Sequence, residues 1–521
     1  MENHTRPQRS RTAYMVKNTA AGFVSQAVGL LLTFVSRTVF IYYLGNSFLG
    51  INSLYTEILS FLSFAQLGIG SAITFALYAP IARSDEEKIV QLLMLYKKVY
   101  RIIALVILGL GLALIPFLQH IVKGADGISL FNLRLYFVFF LIDTVSSYFL
   151  AYKNSYITAT QKNYVVTHIA TITQTVTVLV QICVIVISQN YLVYLASHTV
   201  LGLISKIIQY IYLEKYEPIF KRKASTPLPK EDKKKIYKDV KALVFHQLAS
   251  VAVNSTDNII ISSVKGLGIL TVGLVSNYNL IITHVSSFVS ILFNSVTAGF
   301  GNLVASSSKE HYHKTFCDIN FVNFWVYGFC SVAFFVLIPP FITLWIGSDY
   351  LIDMASLLLI VISRYILGQT VIYNYARVAK GRFDKDYWIS IVEALINLVV
   401  SVIAANRWGL VGVYFGTLVS KVFYIILRPI VSYKFLYGKS SLDYFRQLIS
   451  YFLATCLAGV ITYALTYSLL LEVTVWKFVL SVAITAIVPN IIFALLFFKT
   501  KSFYSVLGRI KGLLSSKFNK G

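Results

Sequence analysis

The chain has 521 residues, of which 57% are hydrophobic and 13% are charged, and its mean hydropathy is +0.71. A soluble domain is about half apolar and about a quarter charged, so these values exclude an ordinary soluble protein. The chain has 46 Lys and Arg residues against 22 acidic ones, a net charge of +24. No nucleic-acid-binding motif accompanies this charge, so we expect no nucleic-acid partner and attribute the charge to basic loops beside membrane spans.

Apolar blocks of the length that a bilayer-spanning helix needs, about 20 residues, recur along the whole chain. We predict about 14 spans and therefore an all-α, polytopic membrane protein. The first six are 14–44, 47–80, 87–119, 129–151, 163–188 and 190–213. The next six are 237–264, 268–301, 314–346, 350–376, 386–405 and 409–433. The last two are 447–470 and 475–498.

Lysine and arginine residues lie mostly on one side of these spans. Segments on the side of the N-terminus, counted with the adjoining ends of the spans, hold 38 of them, the opposite side counted in the same way holds 5, and the middles of the spans hold 3. The segments on the side of the N-terminus are 1–17, 81–101, 152–163, 206–241, 302–314, 376–385, 428–446 and 499–521. Because positively charged loops face the cytoplasm, both termini are predicted to be cytoplasmic. The three bases inside spans are Arg37, Arg364 and Lys421.

A polar segment, 214–236, separates the first six spans from the next six. Landmark residues recur across this segment at an offset of 223, so that Gly45, Gly50 and Tyr55 correspond to Gly268, Gly273 and Tyr278. With six spans in each half, both halves start on the same side, which predicts two parallel six-helix lobes around a central cavity.

The predicted domains follow from this repeat. They are an N-lobe at 1–213, a basic cytoplasmic linker at 214–236, a C-lobe at 237–433, two additional helices at 434–500 and a basic amphipathic tail at 501–521. We expect the tail to lie on the anionic inner leaflet of the membrane, because basic amphipathic helices bind such surfaces.

Polar side chains in several spans share one helix face. In the first span Gln26, Thr33 and Arg37 are seven and four residues apart, which places them on one face. Ionisable residues inside membranes usually face the bundle interior or a wet cavity, whereas single Ser and Thr residues often only join helices. The candidate cavity residues are Gln26, Thr33, Arg37, Glu57, Gln247, Asn254, Asp257, Asn294, Arg364 and Lys421.

Buried acids have two alternative roles. They are candidate carboxylates for a coupling cation, or they pair with the buried bases as ion bridges inside the protein. The sequence leaves both alternatives open. The candidate coupling-ion carboxylates are Asp143, Asp257 and Glu393.

Motifs for catalysis and metal binding are weak. Asp384 and Asp386 form a DxD without a surrounding soluble catalytic domain, and His311 and His313 lack a third ligand nearby. Neither a nucleotide-binding lysine motif nor a serine-nucleophile motif occurs. We therefore expect no enzyme activity, no cofactor and no bound metal.

Residues 35–89 carry a resemblance to a known family, and they read VSRTVFIYYLGNSFLGINSLYTEILSFLSFAQLGIGSAITFALYAPIARSDEEKI. An arginine in span 1 followed by LG, LGIG near the end of span 2, and LYAP before an acidic and basic run form the pattern. This pattern resembles Wzx-type polysaccharide flippases of the multidrug/oligosaccharidyl-lipid/polysaccharide (MOP) exporter superfamily, whose fold is MATE-like or MurJ-like.

The resemblance implies a flippase in the bacterial cytoplasmic membrane. Such proteins move undecaprenyl-pyrophosphate-linked oligosaccharides to the outer leaflet for capsule or exopolysaccharide assembly, by alternating access of two lobes. The implied partners are this lipid-linked oligosaccharide, membrane lipids, and the polymerase and glycosyltransferases of the same pathway. Arg37 best matches the cavity cations that neutralise the lipid phosphates, and Arg364 and Lys421 match by depth alone.

Two alternatives remain at this point. A multidrug–cation antiporter of the same superfamily is favoured by Asp257, Asp143 and Glu57, but it would not need the two extra spans. A membrane polysaccharide polymerase or glycosyltransferase would generally carry a large external loop, and all the loops predicted to be external are short.

Overall fold

The computed structural model describes residues 11–125, 127–234, 236, 256–264, 266–306, 309–373, 387–437 and 440–508. Within these ranges all regular structure is helical and no strand occurs, so the all-α prediction is confirmed. The chain divides into two compact units, Met1–Gly273 and Leu274–Gly521. The predicted lobe boundaries at 214–236 and 434 stay predictions.

Long helices make up most of both units. The described helices that begin in the first unit are α1 Arg11–Leu44, α2 Asn46–Leu62, α3 Phe64–Ala82, α4 Glu86–Leu114, α5 Leu118–Ile121, α6 Leu130–Ala159, α7 Asn163–Ser188, α8 Tyr191–Tyr216, α9 Asp257–Ser263 and α10 Gly268–Ser306. Those of the second unit are α11 Lys309–Trp345, α12 Met354–Gln369, α13 Tyr387–Tyr437, α14 Leu442–Leu470 and α15 Val475–Phe497. Short 3-10 helices lie at Ile115–Phe117, Pro218–Lys221 and Ser348–Tyr350.

Among the described residues, 11 helical segments are long and apolar enough to cross a membrane. The difference from 14 has three causes. Predicted span 47–80 is interrupted at Ser63, between α2 and α3. Most of span 237–264 lies outside the described residues. Spans 386–405 and 409–433 form one continuous segment, in which non-helical backbone at Gly409 separates two arms.

The first span, α1, has an apolar face and a polar face. Its polar residues Gln26, Thr33 and Arg37 are all half-buried. Each of them comes two positions after an exposed apolar residue. Two positions correspond to a rotation of about 200° around the helix axis, so each polar residue lies on the face opposite that apolar residue. The apolar stripe is therefore on the lipid side, and the polar stripe faces the protein. The exposed apolar residues concerned are Val24 (59% exposed), Leu31 (68%) and Val35 (53%).

The predicted linker is packed against the first unit over residues 217–228, which we call the strap. The Glu87 carboxylate, in the first turn of α4, accepts hydrogen bonds from the backbone N–H groups of Ser225 (2.8 Å) and Thr226 (3.1 Å). Gln91 donates to the Thr226 hydroxyl at 2.9 Å, and Leu228 is buried. The acidic start of α4 thus binds a segment that composition alone predicts to be a linker.

The predicted tail is helical over its described part, 501–508, and that part belongs to the second unit. Phe503 packs against Phe321 and Trp325 of α11, and the Ser505 hydroxyl donates to Asp318 at 2.6 Å. These contacts attach the start of the tail to protein. Binding of the tail to the inner leaflet stays a prediction.

Two glycines allow α2 and the first residues of α10 to cross closely. A Cβ on Gly50 would collide with the Ile269 carbonyl, and a Cβ on Gly273 would collide with Asn46. Asn46 and Gly50 correspond to Ile269 and Gly273 at the offset of 223, so one contact is made twice with the roles exchanged. The Asn46 side chain also donates to the Leu270 carbonyl at 3.0 Å. This reciprocity is consistent with an internal repeat of that offset, and the repeat itself stays a prediction.

The two repeat-related tyrosines also occupy similar positions. Tyr55 is fully buried and donates to the Leu133 carbonyl at 2.9 Å, near the start of α6. Tyr278 is fully buried and accepts from the Ile352 N–H at 3.2 Å, just before α12. In each half a buried tyrosine therefore bonds the backbone at the beginning of the corresponding helix.

Replacing Gly50 with alanine should destabilise the protein by about 1–3 kcal/mol, because the added methyl group must displace the Ile269 backbone. The matched control is Gly29→Ala on α1, where nothing lies within 4 Å of the new methyl group. There alanine should be neutral or stabilising by up to about 1 kcal/mol, from helix propensity. Thermal unfolding of the two purified variants measures the difference, and equal unfolding temperatures would contradict the close crossing.

Candidate functional site

The long helix α13 is a hairpin whose two arms are joined by a ladder of polar contacts. Gly409 has φ +58°, a conformation that favours glycine, and the chain reverses there. Gly412 and Gly416 lie against Ala404 and Ser401 so closely that a Cβ would collide. The contacts of the ladder are Lys421 Nζ to Glu393 Oε1 (3.0 Å), Asn397 Nδ2 to Thr417 Oγ1 (3.1 Å) and Ser401 Oγ to the Val413 carbonyl (2.9 Å).

The ion pair at the base of this ladder is buried, with side chains 6% exposed for Glu393 and 8% for Lys421. Withdrawing two charges from water costs several kcal/mol per ion, which their mutual attraction offsets when the geometry is good. The structure therefore brings together a candidate cavity cation and a candidate coupling carboxylate. For Glu393 and Lys421 the structure therefore shows an ion bridge inside the protein, which is one of the two roles that the sequence left open. Substrate binding by Lys421 and binding of a coupling cation by Glu393 stay predictions.

A second ion pair lies inside the first unit, between α6 and α8. Lys206 Nζ is 2.5 Å from Asp143 Oδ1, and it also donates to the Asp143 carbonyl and the Ser146 hydroxyl, both at 2.9 Å. The charge count assigns Lys206 to the basic segment 206–241, which overlaps the end of the predicted span 190–213. In the structure it belongs to the candidate span Tyr191–Tyr216, because the helix continues well past residue 206.

Arg37 is connected to this ion pair by a series of polar side chains. Its guanidinium lies within electrostatic range of Tyr194, and the Tyr194 hydroxyl is in turn influenced by Gln181. Gln181 lies 2.9 Å from His198 Nδ1, and His198 interacts electrostatically with both Asp143 and Lys206. We call these six residues, which come from four helices, the N-unit polar cluster: Arg37, Asp143, Gln181, Tyr194, His198 and Lys206.

The other described candidates form two smaller contacts. Glu57 on α2 accepts a hydrogen bond of 2.7 Å from Asn258 on α9, and Asp257, the neighbouring residue, is half-buried at the start of α9. In the second unit Arg364 donates to the Asn279 side-chain carbonyl at 3.3 Å. The candidate cavity residues described here therefore take part in several separate polar contacts, some in the first unit and some in the second.

Three candidate residues cannot be located in this way. Gln247 and Asn254 lie outside the described residues, as does the DxD of residues 384–386. Asn294 lies on α10, but its side chain is outside the described part. His313 lies 2.7 Å from the Tyr433 hydroxyl, and the described residues hold no cluster of three or more metal-binding side chains.

Two further bases are buried, although the sequence pattern places them in basic segments beside the membrane. Lys153 is fully buried, 3.0 Å from Glu214 and 3.0 Å from the centroid of the Tyr210 ring. Arg428 is 3% exposed, and its guanidinium lies 4.6 Å from the centroid of the Tyr424 ring. Aromatic residues near these bases in the sequence are the one signal that could have indicated their burial, because buried cations often lie over aromatic rings.

Neutralising one member of the α13 ion pair should destabilise the protein strongly. Lys421→Met leaves the Glu393 charge buried without its base, at a cost of about 3–5 kcal/mol. The double variant Glu393→Gln with Lys421→Met removes both charges and should recover most of the loss. Thermal unfolding and the amount of folded protein in membranes measure both effects. A double variant no more stable than Lys421→Met would contradict direct pairing.

The sequence matches no protein-family model and no curated protein. Among solved structures, the chain is similar to the lipid II flippase MurJ in an inward closed conformation, with a TM-score of 0.65 and 14% identity, over 93% of this chain and 99% of that one. It is also similar to an inward-facing multidrug resistance MATE transporter of the MOP superfamily, with a TM-score of 0.56 and 14% identity, over 78% and 96% of the two chains.

A third similar structure is a mutant of the Vibrio cholerae MATE transporter VcmN, with a TM-score of 0.56 and 14% identity, over 82% of this chain and 99% of that one. By their names these proteins are a flippase and transporters. The similarity covers most of each chain, and it confirms the predicted MATE-like and MurJ-like fold. The chain therefore is a multi-pass membrane protein with the fold of this flippase and these MATE transporters.

Proposed function

We propose that the chain is a flippase for undecaprenyl-pyrophosphate-linked oligosaccharides in the bacterial cytoplasmic membrane. It would move repeat units to the outer leaflet for capsule or exopolysaccharide assembly, by alternating access of its two halves. The observation that carries the proposal is the position of Arg37, on the protein-facing stripe of α1 with Gln26 and Thr33. The polymerase and glycosyltransferases of the same pathway are the expected partners.

The chemistry of such a substrate explains why a guanidinium would be kept in a membrane span. A sugar–pyrophosphate headgroup cannot enter hydrocarbon without losing many kcal/mol of hydration. Arginine stays charged at any physiological pH and presents five donors in a planar fork that matches phosphate oxygens. Neighbouring amide and hydroxyl groups can replace the water that the sugars lose, while the polyprenyl chain stays in lipid.

The two lysine–carboxylate ion pairs support an anionic substrate over a cationic one. Asp143 is held by Lys206 and Glu393 by Lys421, so two of the three candidate coupling carboxylates already have a lysine as their counter-ion. A transported cation would have to displace that lysine. Arg364 differs, because the hydrogen-bond partner that it has among the described residues, Asn279, is neutral.

The similarity to solved structures is consistent with this proposal at a coarser level. One of those proteins is by name a flippase for a lipid, lipid II, and the similarity to it extends over nearly the whole chain. The sequence pattern at 35–89 is the reason for proposing an oligosaccharide carrier of the Wzx type in particular.

A cation antiporter is the second candidate, and one observation favours it. Glu57, Asn258 and Asp257 lie together where α2 meets α9, and carboxylate and amide oxygens are the ligands that hard cations prefer. Efflux of an organic cation that depends on a Na⁺ or H⁺ gradient and is lost in Glu57→Gln would favour the antiporter.

Arg37→Ala should abolish surface polymer in the bacterium that carries this protein, because the phosphates lose their guanidinium partner. Arg37→Lys keeps the charge without the fork and should retain part of the export. Polymer at the cell surface is measured together with the amount of protein in the membrane. The matched control is Arg83→Ala, which removes an exposed arginine just after α3 and should leave export unchanged.

Two outcomes would count against this role of Arg37. Normal export by Arg37→Ala, at normal protein levels, would show that the guanidinium does not bind the phosphates. Loss of the protein from the membrane would indicate that Arg37 holds the N-unit polar cluster together instead.

A further inference from the structure

The first unit carries a small pocket where α4, α6 and α8 meet, away from the polar stripe of α1. Its volume is about 170 Å³. α6 packs against both α4 and α8, so the pocket lies over α6 between its two neighbours. The lining residues are Lys97, Arg101, Tyr148, Phe149, Tyr152 and Tyr210.

Two cations and four aromatic rings line this pocket, with no acid among them. Lys97 and Arg101 are one turn apart on α4, and Lys97 Nζ lies 5.9 Å from the centroid of the Tyr152 ring. Within the described part of the chain, neither cation takes part in an ion pair. Behind the pocket, the buried Lys153 is already paired with Glu214 at 3.0 Å. The pocket therefore offers two positive charges that the surrounding protein does not neutralise.

The pocket lies at the level where these helices leave the apolar layer. On α4, Arg101 directly precedes the apolar run 102–118. The surface around the pocket is apolar and exposed, as lipid-facing surfaces are. Its exposed side chains include Ile102 (52%), Phe149 (52%), Ile207 (58%) and Ile211 (60%). A molecule in this pocket would thus have its charged part beside the two cations and its apolar part on the lipid-facing surface.

We propose that this pocket binds the phosphate headgroup of an anionic glycerophospholipid. Basic pockets between membrane helices on the cytoplasmic side suit such headgroups, and the charge count predicts that this end of α4 is cytoplasmic. Lys97 and Arg101 donate charge-assisted hydrogen bonds to the phosphate, and the acyl chains pack along Ile102 and Phe149. This proposal does not depend on the substrate that the protein carries.

The pocket is also next to the strap. The Phe220 ring of the strap packs on Tyr152 at 6.2 Å and on Tyr156 at 5.3 Å between centroids, and it lies 5.3 Å from Lys153 Nζ. A bound headgroup that orders Tyr152 therefore stabilises the attachment of the strap to the first unit. Lipid binding should accordingly raise the thermal stability of the protein.

The test uses the full-length protein in detergent, with thermal unfolding followed as lipid is added. Phosphatidylglycerol should raise the unfolding temperature of the wild type, whereas phosphatidylcholine and inorganic phosphate should not. Removing each charge costs about 1 kcal/mol, so Lys97→Gln with Arg101→Gln should weaken phosphatidylglycerol binding about 30-fold. Because Arg101 is exposed, Arg101→Gln alone should fold normally and weaken binding about fivefold.

The matched control is Arg83→Gln with Lys98→Gln, which removes two exposed charges outside both the pocket and the strap. It should keep the wild-type response. An equal loss in this control, or an undiminished response in Arg101→Gln, would overturn the pocket as the site. An equal response to inorganic phosphate would show that the site takes a free anion, and an equal response to phosphatidylcholine would show that charge is not recognised. Either result would overturn the proposal.

Discussion

A charged side chain can stay in a membrane-spanning helix only where another group replaces the water that it has lost. In the second unit Glu393 and Lys421 meet this need for each other at 3.0 Å, and in the first unit Asp143 and Lys206 do so at 2.5 Å. Each pair requires two helices to pack closely. The reversal at Gly409 and the packing of α6 on α8 provide that closeness, while apolar side chains are left to face lipid.

The same constraint separates the functional candidates. Carboxylates that are held by lysines of the same unit are poor sites for a passing cation, because the lysine would have to leave first. Arg37 lies on the protein-facing stripe of α1 with Gln26 and Thr33, within electrostatic range of Tyr194. Its guanidinium is the proposed partner of a phosphate that binds and departs.

Local patterns in the sequence predicted much of the fold. The positions of the spans follow from the length of the apolar runs, and the protein-facing stripe of α1 follows from helical periodicity. Both features depend only on residues that are close together in the sequence. The offset of 223 was visible in the glycine spacing, but the reciprocal contacts of Gly50 and Gly273 need the crossing of two distant helices.

Ion-pair partners could not be predicted in the same way. Lys206 lies in the last two turns of the predicted span 190–213, and Lys153 lies just beyond the predicted span 129–151. At such positions a lysine in a loop and a lysine held against a neighbouring helix look alike in sequence. Only tertiary packing brings Lys206 to Asp143 and Lys153 to Glu214.

The most direct measurement of the proposed function is transport by the purified protein in liposomes. An undecaprenyl-pyrophosphate-linked oligosaccharide and an organic cation are compared side by side. We expect translocation of the lipid-linked oligosaccharide and none of the cation, and transport of the cation alone would contradict the proposed function.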